Sequence, residues 1–362
     1  MTLPARSRSE TFVRSLALSL LLLSIATPAW AMPQLAYTGG SGPKIRTADL
    51  DGTVHATIGG PKYRWFSIAR NTVIGTVPTT NKSGNEIGQH VAGFNATTGA
   101  PRFRIRDARI ALLGPEAAFV VFGPDNNGAT KHDRDPRVDS LWYHDVATGI
   151  EHRIARFPDD VGQPFNGSPI DLALNPAGTD VAIGHGNDGE FWFFDVWVAH
   201  TTGPGDPTRL TADGKSRYPA WSPSGTRIAY TWYDPAKPCA AQIRVMRADG
   251  TDKTGVAKST CASRLYRPLW LSHGTLVAWR FGAHGRPTGL VLIDVATGAT
   301  STLVDARVYS VNVSRAIGEL GYRLANGSIH LYDISSGTTR PVPGGTDLRG
   351  DAVALSGQLE QS

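Results

Sequence analysis

Three histidines, His185, His273 and His284, stand at strand ends and turns from which they could approach a shared channel. Neutral imidazoles in that position would suit a transition metal. The spacing argues for a plainer role. The ten histidines include no His-x-x-x-His and no Glu-flanked pair, so solvated or turn positions are expected. A second candidate is the segment 123–139, where Asp125, Asn127, Asp133 and Asp135 offer side-chain oxygens together with Asn126 and Asp139. Calcium takes about six to eight such ligands. The spacing fits no EF-hand loop, so the expectation is no cofactor, with Ca²⁺ as the alternative. Gly39-Gly40-Ser41-Gly42 is not a nucleophile elbow, because Pro43 stands where the last glycine is needed and no strand-to-helix context follows. Cys239 and Cys261 lie 22 positions apart. An even cysteine count in an exported chain favours a disulfide over two free thiols. What remains is recognition chemistry. Trp232, Tyr233, Asp234, Arg280 and Phe281, with His185 and Asp188, fall at irregular stretches, and Trp, Tyr and Arg are types enriched at interface hot spots.

The elements that must position these residues are legible in the glycines and prolines. Gly (40) and Pro (24) occur about once every six residues of the 362, a density that helices tolerate badly. Disorder is excluded by 41% hydrophobic residues and a net charge of only +5. One polar turn recurs seven times, ending at Gly52, Gly99, Gly149, Gly203, Gly250, Gly298 and Gly337, at intervals of 39 to 54 residues. Its best copies read Asp145-Val146-Ala147-Thr148-Gly149 and Asp294-Val295-Ala296-Thr297-Gly298, and Asp195-Val196 opens a copy stretched by an insertion. Glycine supplies the positive φ of a tight hairpin, and Asp or Thr bonds its own turn backbone. A second motif lies between copies: two short strands around a turn, as in Tyr218 to Thr231, with weaker relatives at 170–183, 269–279, 67–77, 110–122 and 311–324. Four strands per unit of 40 to 50 residues is the pattern of a β-propeller. The fold class expected is all-β, with seven four-stranded antiparallel blades; six or eight remain open. Leu35-Ala36-Tyr37-Thr38 matches the second-strand motif, and 351–357 is a lone inner strand, so the termini should share one blade.

In such blades the connection between strands two and three and the link between blades fall on one face. Both cysteines fall there, as do the long insertions at 79–89, 123–139, 184–190, 233–241 and 282–287. Long loops on a rigid scaffold are where binding usually resides. Trp221, Trp270 and Trp279, with Tyr230 and Tyr322, should wedge between blades as packing residues.

Residues 1–31 read as a signal peptide: Arg6, Arg8 and Arg14, then an apolar run from Leu16 to Ile25, then Ala29-Trp30-Ala31. The run is too short to span a bilayer, and residues 32–362 are expected to be exported, periplasmic or secreted, without a membrane span. Without the leader the charge falls to +3, with scattered Lys and Arg, which argues against nucleic acid.

Arg209-Leu210-Thr211-Ala212-Asp213-Gly214 through Trp221-Ser222-Pro223-Ser224-Gly225, then Ile228-Ala229-Tyr230 and Ile243 to Gly250, resembles the repeat of TolB-like propellers. Ser224 stands where that family usually has Asp, and the separate N-terminal domain of TolB itself is not seen. The clustered loop residues lead to the expectation of a monomeric binding module for a protein partner and not an enzyme, and the resemblance implies a place in the periplasm or outside the cell. It also implies an alternative. Some similar propellers resemble oligosaccharide lyases that hold a divalent metal with channel-facing histidines; here His185, His273 and His284 would have to converge, with Arg280 steering an acidic sugar.

Overall fold

The computed structural model describes residues 32–38, 44–59, 63, 66–80, 82–83, 86–124, 140–157, 171–186, 194–234, 236–346 and 353–355. They form seven four-stranded antiparallel sheets arranged as a β-propeller. Blades 1 to 6 are residues 66–105, 108–156, 171–209, 216–258, 264–304 and 308–346. Blade 7 takes its inner strand, Val353–Leu355, from one end of the chain and Leu35–Thr38, Ile45–Ala48 and Val54–Ile58 from the other. Leu35 faces Leu355 and Ala36 faces Ala354, and Leu35, Ala36, Ala354 and Leu355 are all fully buried. The shared blade closes the ring as the terminal motifs imply, and closure removes the open sheet edges that invite aggregation.

Position along the blade sets residue type. The inner strand Asp171–Leu174 is buried at every residue, whereas the outer strand Thr208–Arg209 is exposed. Strands covered on both faces read as nearly continuous apolar runs. The tryptophans tie one blade to the next. Trp221 Nε1 donates to the Ala173 carbonyl of blade 3 at 3.1 Å, and Trp270 Nε1 donates to the Ala220 carbonyl of blade 4 at 3.1 Å. Trp279 shares an apolar cluster with Leu320 and Tyr322 of blade 6, and Tyr230 shares one with Ala173 and Val196 of blade 3.

All seven recurrent turns join the third strand to the outer strand. Six of their glycines have φ between 70° and 91°. In blade 5, Asp294 Oδ1 accepts from the Thr297 backbone N–H and hydroxyl, both at 2.8 Å. Blade 3 departs from this plan. Gly203 has no positive φ among the described residues, and Asp195 lies at the far end of its strand, fully buried. There it accepts from Arg209, from the Thr211 hydroxyl at 2.8 Å and from the Gly214 N–H at 3.1 Å. The shared Asp-Val pair is therefore not a shared turn.

Two expected long loops are replaced, one in part by strand and the other by a tight turn. Residues 72–80 and 86–95 continue pairing as far as Thr80 with Glu86, so residues 79–80 and 86–89 belong to a long ribbon. Residues 282–286 form a tight turn, closed by Gly282 N–H to Arg286 O at 3.0 Å.

Candidate functional site

Inner strands line a propeller's channel, and those of blades 4 and 5 carry the same irregularity. Tyr218 and Arg267 both have left-handed φ, 57° and 53°, and each precedes a proline, Pro219 or Pro268. The register slips between Arg217 and Ala220, and between Tyr266 and Leu269. Proline cannot donate to the ladder, so within a strand it marks a bulge. Left-handed backbone at a non-glycine residue costs about 1–3 kcal/mol. The preceding blade supports each bulge. Tyr218 N–H donates to Asp171 Oδ2 of blade 3 at 3.3 Å, and Arg267 N–H donates to Thr231 Oγ1 of blade 4 at 3.0 Å. Space for Asp171 is also arranged: a Cβ on Gly184 would stand 2.8 Å from its Oδ2.

The bulges gather charge and rings at one corner of the channel wall. Arg217 lies over the Phe194 ring at 4.3 Å and the Tyr218 ring at 4.5 Å, and Arg267 lies over Tyr218 at 4.6 Å. Asp171 is buried. Burial raises its carboxyl above the ordinary carboxylate value, while Arg217 and Arg267 pull the other way. Neither arginine makes an ion pair or a side-chain hydrogen bond among the described residues, and Arg217 Nε is buried without a partner. A small cavity opens beside them, lined by Tyr218, Arg267, Leu269, Trp279 and Val311.

Outward from that corner runs a chain of rings. Tyr233 meets Tyr266 at 5.7 Å, Tyr266 meets Phe281 edge-on at 5.3 Å, and Phe281 stacks toward Trp279 at 6.1 Å. Burial pushes the Tyr266 phenol up to about 12, and the Tyr233 hydroxyl adds to the shift. Cys239 and Cys261 are bonded, with Cα atoms 4.5 Å apart. The bond ties the loop before the third strand of blade 4 to the link into blade 5, on the same face as Tyr233.

The residues singled out in the sequence fall into separate settings. Tyr233 and Phe281 come together through Tyr266. Trp232 donates to Asp213 Oδ2 at 2.8 Å, with Arg244 over its ring at 4.4 Å. Asp234 pairs with Lys215 at 3.0 Å, and that bond holds its carboxyl below the usual range. Arg280 is engaged by Thr288, Thr302 and Asp305, so it braces its own blade. His185 is buried, with its ring stacked on Phe157 at 4.1 Å. His284 is exposed in the 282–286 turn, and His273 lies in the hairpin between the first two strands of blade 5, on the opposite face. The three histidines do not converge. Among the described residues no three His, Cys, Asp or Glu side chains are placed to share a metal ion. Asp188, Asp125, Asn127, Asp133 and Asp135 lie outside the described residues, as do residues 1–31. The corner residues Asp171, Arg217, Tyr218 and Arg267 were not singled out; the two X-Pro pairs inside apolar strands were the signal available.

No family model matches the chain, and no curated protein matches its sequence. Solved structures match its fold. The tricorn protease aligns with TM-score 0.61 and 12% identity, over 87% of this chain and 35% of that one, so this chain spans about a third of that protein. An oligogalacturonate lyase in complex with manganese aligns with TM-score 0.58 and 12% identity, over 85% of each chain. A protein described as TolB from Agrobacterium tumefaciens aligns with TM-score 0.48 and 14% identity, over 67% of this chain and 83% of that one. The protease and the lyase differ in what they do. What they share with this chain is the propeller, and propellers host many unrelated functions.

Proposed function

We propose that the chain is an exported binding module that recognises a protein partner on the loop face of blades 4 and 5. The observation that supports this most is the ring chain Tyr233–Tyr266–Phe281 beside the Cys239–Cys261 clamp. Aromatic anchors on a pre-ordered surface lose little entropy on docking, which is how a small patch gains affinity. Catalysis has less support: the histidines of the lyase reading are spread over two faces, and Arg280 is committed to Asp305. A pull-down from envelope extract with the wild-type chain and a Tyr233→Ala/Phe281→Ala variant tests the reading. A retained protein that the variant releases is the expected result. A set of retained proteins identical for both chains would refute it.

A further inference from the structure

We propose that Arg217 and Arg267 form a binding site for a small monocarboxylate, at the channel corner between blades 3, 4 and 5. This goes beyond partner recognition on the loop face and does not depend on it. Both guanidiniums are partly buried, both lie against the Tyr218 ring, and neither has an ion-pair partner among the described residues. The planar guanidinium fork matches a carboxylate in shape and hydrogen-bond geometry.

Charge arithmetic selects the ligand's valence. Asp171 is the acidic group that acts on both arginines, and its Oδ2 is already engaged by the Tyr218 N–H. Two cations against one carboxylate leave a single positive charge, which a monoanion neutralises. A dianion would leave net negative charge beside the buried Asp171, which is costly in a site of reduced solvent exposure. The neighbouring surface places the rest of the ligand. The adjoining cavity, bounded by Tyr218, Leu269, Trp279 and Val311, has room for about one water-sized group, so the body of the ligand lies along the channel wall and not inside that cavity. The paired left-handed residues add a reason to read the corner as built for a ligand. Each bulge carries backbone strain and each is held by a side chain from the preceding blade, and such strain concentrates at ligand sites.

Calorimetric titration of the full chain with benzoate, benzamide and phenyl phosphate tests this. Benzoate should bind at least tenfold more tightly than benzamide and more tightly than phenyl phosphate. Arg267→Gln should weaken benzoate at least tenfold, and Arg267→Lys should fall between it and wild type, because it keeps the charge and loses the fork. Circular dichroism and the thermal midpoint would establish that each variant is folded. Equal binding of benzamide and benzoate overturns the proposal. So does tighter binding of phenyl phosphate, or unchanged benzoate affinity in a folded Arg217→Gln/Arg267→Gln variant.

Discussion

Single side chains hold neighbouring blades together, and the two buried indole donors show how. Trp221 and Trp270 each satisfy a carbonyl of the preceding inner strand. Removing such a donor orphans a buried acceptor as well as deleting volume, so Trp270→Phe should cost about 2–4 kcal/mol. Trp279→Phe should cost clearly less, because its indole N–H serves no carbonyl among the described residues. Urea unfolding of the two variants decides this, and equal midpoints would contradict it. The turn carboxylates act in a different way. Hydrogen bonds from Ser335 and Ser336 hold the Asp333 carboxyl down at about 2, and Asp145, Asp249 and Asp294 are lowered by the same kind of turn. A carboxylate with a lowered folded pKa adds stability above its unfolded value and loses it as pH falls through the folded one. Stability should therefore decline between the ordinary value of 3.8 and about 2. Asp333→Asn should flatten that slope in denaturation curves taken across this range; an unchanged slope would rule the turn out as its source.

Elements were legible where one backbone requirement repeats. A hairpin that needs positive φ leaves a glycine behind, which is why six of the seven turns are found at the residues that spell them. Blade 3 was misread at Asp195 because a residue pair records identity and not direction. The same Asp-Val caps a turn in blade 5 and sits buried at the opposite strand end in blade 3. The channel corner was harder to see, because Tyr218, Arg267 and Asp171 are far apart in sequence and meet only when consecutive blades pack. Their one local trace is proline inside an apolar strand. The disulfide was legible from the even cysteine count in a chain expected to be exported. It closes a loop that contains the third and outer strands of blade 4, so Cys239→Ser/Cys261→Ser should lose about 3 kcal/mol. Denaturant midpoints with and without reductant measure this, and no difference would mean the clamp contributes nothing to the fold.

At the scale of the whole molecule, seven blades form one ring only because residues 353–355 complete the sheet begun by residues 35–58. Ala354 is fully buried in that inner strand. Ala354→Asp would place an unpaired charge there, and a buried charge without a partner is strongly destabilising. The variant should lose its single sharp thermal transition, whereas an unaltered melt would show that the ring does not need this strand. Closure also gives the molecule two unlike faces. Hairpins cover one, and the other carries the disulfide-tied link and the tyrosines. The claim that binding belongs to the second face is tested most directly by photo-crosslinking in intact cells. A photoreactive residue would replace Tyr233 on the loop face or the exposed Ser224 in the hairpin on the opposite face. A discrete crosslinked partner from position 233 and none from 224 is predicted; a partner captured only from position 224, or equally from both, would contradict the account.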